Sequence, residues 1–498
     1  MNVNPITRLD YPDPDVIRVE DTYYMVSTTM HFMPGCEILQ SFDLVHWEHV
    51  TYVYETLDHT DAQQLKSGQN IYGQGMWAAS LRYHEGRFYI CFVANDTRKT
   101  YLYTSEKIDG PWKKQLIEGF YHDGSLLFDE DGRNYIVYGN DEIWITELNE
   151  DLTAPKKDGL HRLLVSDHKN PELGYEGSHI QKINGYYYIF LIHSLRDRWM
   201  RTEACFYSDS LEGEFTGGDV LCDDRGYCGQ GVAQGGIVDT PDGKWYAMLF
   251  QDSGAVGRIP ILVPVTWKDH FPFFGQNGHV PEEIEVHSTR PGYIYQPLVG
   301  SDDFCNGLLP RWQFNHDPDP RYYHLDALQG TYTITTREVC TELTQAVNTL
   351  TQRMSYPSCA AEVTVDASAL KEGDVAGLCA LQSCYAAVGI TKHHGKYEVL
   401  MLDKKEDGIL DMTERTVVES HQMDFRLEAD FCNMKDEARC YYRVNKGDWL
   451  PIGTVHKLYF KLDHFTGCRF GLFCYAAEET GGSACFRDFK YYDVDEIS

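Results

Sequence analysis

One pattern recurs five times in the first half of the chain, and it limits the fold more than any other feature. Each copy is a short apolar strand, a tight turn carrying Gly or Asp, and an aromatic strand with Tyr. The copies run Val16–Tyr24, Leu81–Tyr89, Leu126–Tyr135, Ile180–Tyr188 and Ile237–Tyr246. Strand-forming residues on both sides of such a turn are a hairpin signal. The aligned tyrosines recur every 46 to 65 residues, room for a four-stranded unit with loops of unequal length. Five such units predict an all-β fold that begins with a five-bladed β-propeller.

In a propeller the first strand of every blade lines the central axis, so residues at its entry converge on one end of the channel. Asp13 lies 11 residues before Tyr24, while Trp77, Asp123, Glu176 and Gln234 each lie 12 before their own tyrosine. Three carboxylates, an indole and an amide are therefore expected to meet. Taken singly, each acid suits a turn cap or a surface ion pair. The shared offset favours the set.

Acids grouped without cations raise one another's pKa, and glycoside hydrolysis uses that: one carboxyl protonates the leaving oxygen while another activates water or attacks the anomeric carbon. Two prolines in Tyr11-Pro-Asp-Pro-Asp15 restrain the backbone around Asp13, and small residues in Gly174-Tyr-Glu-Gly-Ser-His179 leave room for a ligand beside Glu176.

Charge narrows the partners. The formal net charge is −31, and no basic patch offsets it, so nucleic acid and anionic membrane surfaces are not expected to bind. No run approaches the ~20 apolar residues of a membrane span, and the N-terminal residues lack the pattern of a secretion signal. The 15 cysteines are scattered, odd in number and free of metal-ligand spacing, which reads as reduced thiols in a cytoplasmic protein. Aromatics make up 13% of the residues; most suit strands, and a few suit stacking on sugar rings.

After Arg290-Pro-Gly292 the hairpin repeat stops. From about Ser301 short alternating strands follow, among them Gly330–Thr335, Ala360–Val365, Ala386–Ile390, Tyr397–Met401 and Phe470–Cys474. They predict an antiparallel β-sandwich. The expected division is a catalytic propeller over 1–298 and a sandwich over 299–498.

Six segments, in order, resemble glycoside hydrolase family 43: Tyr11-Pro-Asp-Pro-Asp-Val16, Met33-Pro-Gly-Cys-Glu-Ile38, Gly75-Met-Trp-Ala-Ala-Ser-Leu81, His122-Asp-Gly-Ser-Leu126, Glu176-Gly-Ser-His179 and Trp312-Gln-Phe-Asn-His-Asp-Pro318. The likeness is to the β-xylosidase and α-L-arabinofuranosidase branch, whose propeller precedes a jelly-roll β-sandwich. It implies Asp13 as general base, Glu176 as general acid and Asp123 as the acid that tunes Glu176. It also implies inversion at the anomeric carbon, with base and acid about 6.5–9.5 Å apart.

By the same likeness Trp77 and Phe32 are expected to wall the sugar site, with Arg258 and Gln234 contacting substrate. A loop of the sandwich is expected at the rim, and Glu478–Phe486, with Phe486 at its tip, is the candidate. Many members carry His where this chain has Gln234. An amide is a fair ligand for calcium and a poor one for transition metals, so the expectation is no required cofactor, with room for a structural Ca2+ or Na+ near the axis.

The implied activity is that of an exo-acting β-xylosidase releasing terminal D-xylose from xylo-oligosaccharides. The alternatives are an α-L-arabinofuranosidase acting on arabinosylated substrates, or one enzyme with both activities. From a different class come a non-catalytic carbohydrate-binding propeller and a sandwich that itself binds polysaccharide. A homo-oligomer is left open.

Overall fold

A computed structural model describes residues 2–493. All five hairpins form, and each opens a blade. Blade 1 holds Asp15–Val19, Thr22–Val26, Gly35–Ser41 and Glu48–Tyr54; blade 2 spans Met76–Ile117, blade 3 Ser125–Ser166 and blade 4 Glu176–Leu221. Blade 5 begins with two short inner strands, Val232–Ala233 and Ile237–Asp239, both paired with Trp245–Asp252. The ring closes where the N-terminus meets blade 5: Asn2 pairs with Ile284, and the Asn4 amide group exchanges hydrogen bonds with the backbone of Leu262 at 2.8 and 3.0 Å.

Two sheets of eight and seven strands make the sandwich, whose core holds Phe425, Phe470, Leu472 and Phe486, all fully buried. The eight-stranded sheet takes its edge strand from the propeller: Phe32–Met33 pairs with Gln313–Asn315. Buried arginines of the sandwich continue this junction. Arg353 donates to Glu37 Oε2 at 2.9 Å and to the Asp10 carbonyl at 2.9 Å, and Arg469 lies 3.5 Å over the Phe32 ring. Among the described residues no helix is long and apolar enough to cross a membrane.

Candidate active site

The entry to each inner strand turns through backbone that L-residues rarely adopt. Asp13, Asp123 and Gln234 have φ of 53, 48 and 60°, and Gly75 and Gly177 have φ of 81 and 66°. Such turns direct the side chain away from the strand's own pleat and toward the axis. In blades 2 and 4 the register of the inner strand also shifts, between Met76 and Ala79 and between Glu176 and His179; bulges there re-aim Trp77 and Glu176. The result is a cavity of about 890 Å³ lined by Asp13, Trp77, Asp123, Glu176, Gln234 and Arg258.

Asp13 is held on both oxygens: Arg258 Nη1 donates to Oδ1 at 2.8 Å and Thr28 Oγ1 to Oδ2 at 2.6 Å. Arg258 is 2% exposed, and its Nε and Nη2 have no partner among the described residues. Asp123 accepts the Gly177 N–H at 3.0 Å. Burial, together with the charges of Glu176 and Asp13, pushes its carboxyl up against the opposing pull of His122. Glu176 Oε2 accepts the Asn140 amide at 2.8 Å, and His122 Nε2 lies 3.4 Å from the same oxygen.

One expected wall residue and the expected tip of the rim loop lie elsewhere. Phe32 is 1% exposed at the junction of propeller and sandwich, where its strand completes the sandwich sheet and Arg469 covers its ring. Phe486 is fully buried in the sandwich, on a strand paired with Tyr332. Neither lines the cavity. The sandwich does reach the rim, through Leu458–Leu462 and Phe465. Phe465 packs 5.6 Å from Trp77 and 4.2 Å from the Arg258 guanidinium. The Gly467 N–H anchors this loop on Asp10 Oδ2 at 2.8 Å, while Asp10 Oδ1 accepts the Arg258 N–H at 2.8 Å. One carboxylate thus ties the rim loop to the strand carrying Arg258.

Along the axis, inner-strand oxygens of blades 1 and 3 are held by a guanidinium. Arg82 Nη1 donates to Asp15 Oδ2, Nη2 to Ser125 Oγ and Nε to the Leu126 carbonyl, at 2.7, 2.7 and 2.8 Å. Its guanidinium takes the oxygens that a cation at that point of the axis would need. Beside Gln234, Glu203 accepts the Gln234 N–H at 2.7 Å, but burial drives its carboxyl toward the neutral form. His122, Asp123 and Glu176 bring donor atoms within 4.8 Å of one another. The carboxylate oxygens on that side already accept N–H groups from Gly177 and Asn140.

The profile of glycosyl hydrolases family 43 matches residues 3–272, and that of the beta xylosidase C-terminal concanavalin A-like domain matches residues 301–492. The chain belongs to glycosyl hydrolase family 43. It is a glycoside hydrolase, and its substrates are carbohydrates. A beta-xylosidase of Formosa agariphila is 27% identical over 99% of this chain and 89% of its own length. A non-reducing end alpha-L-arabinofuranosidase of Bacteroides ovatus is 24% identical over 82% of this chain and 79% of its own. The solved structure of a bifunctional GH43-CE protein of Bacteroides eggerthii is 42% identical and superposes with a TM-score of 0.93; it covers all of this chain, which spans 64% of that protein.

Sequence reasoning passed over three groups of this family 43 site. His122 adjoins Asp123, and that adjacency was a usable signal. Asn140 ends the second strand of blade 3, and Phe465 belongs to the other end of the chain; neither carries a local mark.

Proposed function

We propose that the protein is an inverting, exo-acting β-xylosidase that removes terminal D-xylose from xylo-oligosaccharides. The observation that carries this reading is the asymmetry of the acids around one cavity. Asp13 is gripped by Arg258 and Thr28, a fixed acceptor suited to deprotonating water. Glu176 sits beside Asp123, whose carboxyl burial pushes up, a pairing suited to delivering a proton to the leaving oxygen. Arg258 lines the cavity beside Asp13 and would contact the sugar there, and Trp77 with Phe465 would flank the ring. Closure by Leu458–Phe465 supports action at a chain end. The fifteen free thiols support a reducing compartment such as the cytoplasm.

The name of the Bacteroides ovatus relative favours a second reading, in which the enzyme also or instead releases L-arabinofuranose. NMR of the first products from xylotriose and from an arabinosylated xylo-oligosaccharide separates the two. The expected outcome is α-xylose released from the non-reducing end of xylotriose; arabinose alone would move the assignment to the second reading. Glu176→Gln should lower turnover of xylobiose by about 10²–10⁴-fold, with a smaller loss on 2,4-dinitrophenyl β-xyloside, whose leaving group needs no proton. A wild type that binds xylobiose and never cleaves it would leave only a carbohydrate-binding role.

A further inference from the structure

The Glu176 carboxyl has two neighbours on one oxygen. Asn140 Nδ2 donates to Oε2 at 2.8 Å, and His122 Nε2 lies 3.4 Å from Oε2 and 3.5 Å from Asp123 Oδ2. The imidazole therefore stands between two acids that the proposed mechanism gives different tasks, with its ring 5.8 Å from Trp77 on the cavity wall. We propose that His122 is a positioning residue for Glu176, a cationic donor that fixes the carboxyl together with Asn140 and couples its proton to the charge on Asp123. This rests on Glu176 being the proton donor.

The charge on the imidazole follows from what faces it. Burial disfavours the imidazolium, but Asp123, Glu176 and Asp13 outweigh burial and carry His122 up to about 9. The other cations lining the cavity are engaged elsewhere, Lys457 among them on the backbone carbonyls of Met434 and Lys435. Arg258 Nη1 faces Asp13, Arg201 faces Asp252 at 2.7 Å, Lys461 pairs with Glu406, and Arg98 is stacked 3.8 Å over Phe120. His122 is thus the basic side chain that reaches Glu176 among the described residues. An imidazolium there favours ionised Glu176, whereas ionised Asp123 disfavours it, so one proton is set by two opposed neighbours. Without the imidazolium, the charge on Asp123 acts on the Glu176 carboxyl unopposed.

The test is the pH profile of kcat/KM for wild type, His122→Gln and His122→Asn. It uses whichever of xylobiose and an arabinosyl-xylobiose the wild type cleaves, and the matching 2,4-dinitrophenyl glycoside. Both variants can still donate a hydrogen bond, and neither carries the charge. The alkaline limb on the natural substrate should rise by about one pH unit or more in both variants, while rates on the dinitrophenyl glycoside change little. An unmoved limb, with equal losses on both substrates, would mark His122 as merely structural and overturn the inference. A wild type that cleaves no glycoside overturns the proposed activity and this inference together; an active wild type with unmoved limbs in both variants overturns this inference alone.

Discussion

At the scale of single residues, the site depends on how few hydrogen-bond donors serve the acids. Arg258 is the clearest case, because one guanidinium holds Asp13, packs under Phe465 and keeps two N–H groups without a protein partner. Lysine has the charge but neither the planar fork nor the stacking face. Arg258→Lys should therefore reduce kcat/KM by about 10²-fold with little change in melting temperature, since a misoriented base and a lost substrate contact act together. A variant that keeps wild-type kcat/KM would show that Asp13 needs no such grip. Arg82 makes the complementary point. Its contacts with Asp15 and the Leu126 carbonyl show how a side chain can occupy the axis of a propeller away from the catalytic cavity. Gln234 suggested room for a cation, because an offset in a repeat says which residues converge and not what lies between them.

At the scale of elements, the left-handed turns at the strand entries and the rim loop of the sandwich set the cavity's shape. Gly177 follows Glu176 at φ 66°, and a Cβ there would stand 2.7 Å from Gln234 Cδ. Gly177→Ala should destabilise the protein by about 1 kcal/mol or more and displace Glu176, so activity should fall further than the melting temperature alone explains. Phe465 tests the loop. Its neighbour His464 is stacked 3.9 Å from Tyr72 of the propeller, so the loop is seated independently of the phenyl ring. Phe465→Ala should then raise KM for xylobiose about tenfold, the worth of a stacking contact, and leave the fold intact by circular dichroism. An unchanged KM would remove this loop from the substrate-binding surface. Two of the turn entries were legible in advance, since Asp beside Pro or Gly marks those at Asp13 and Asp123. The rim loop was not: Glu478–Phe486 has the glycines of a rim loop, yet its Phe486 turns into the sandwich core.

At the scale of the whole molecule, propeller and sandwich share a sheet edge and a buried ion pair. Burial raises the Glu37 carboxyl, but Arg353 and His49 outweigh it and lower it to about 2 from 4.5. A depressed carboxylate contributes stability above its unfolded value and loses it as pH falls through the folded one. Glu37→Gln should thus cost about 3 kcal/mol at pH 7, where it strands Arg353. Its deficit against wild type should narrow as pH drops from about 4.5 toward about 2, measured by urea unfolding at each pH. A deficit independent of pH would place the effect in packing. What the sequence determined by itself was the propeller, the sandwich strands and the convergence of Asp13, Asp123 and Glu176, because hairpin turns and the two-residue period of a strand are local, and a repeat carries local offsets into space. What only the tertiary structure decided was the filling of the axis by Arg82, the contact of His122 with Glu176, the burial of Phe32 and Phe486, and the arrival of Phe465 at the cavity. Those depend on how the sandwich docks, which brings Gly467 onto Asp10 and Arg353 onto Glu37 across hundreds of residues, and no pattern confined to one segment encodes such a contact.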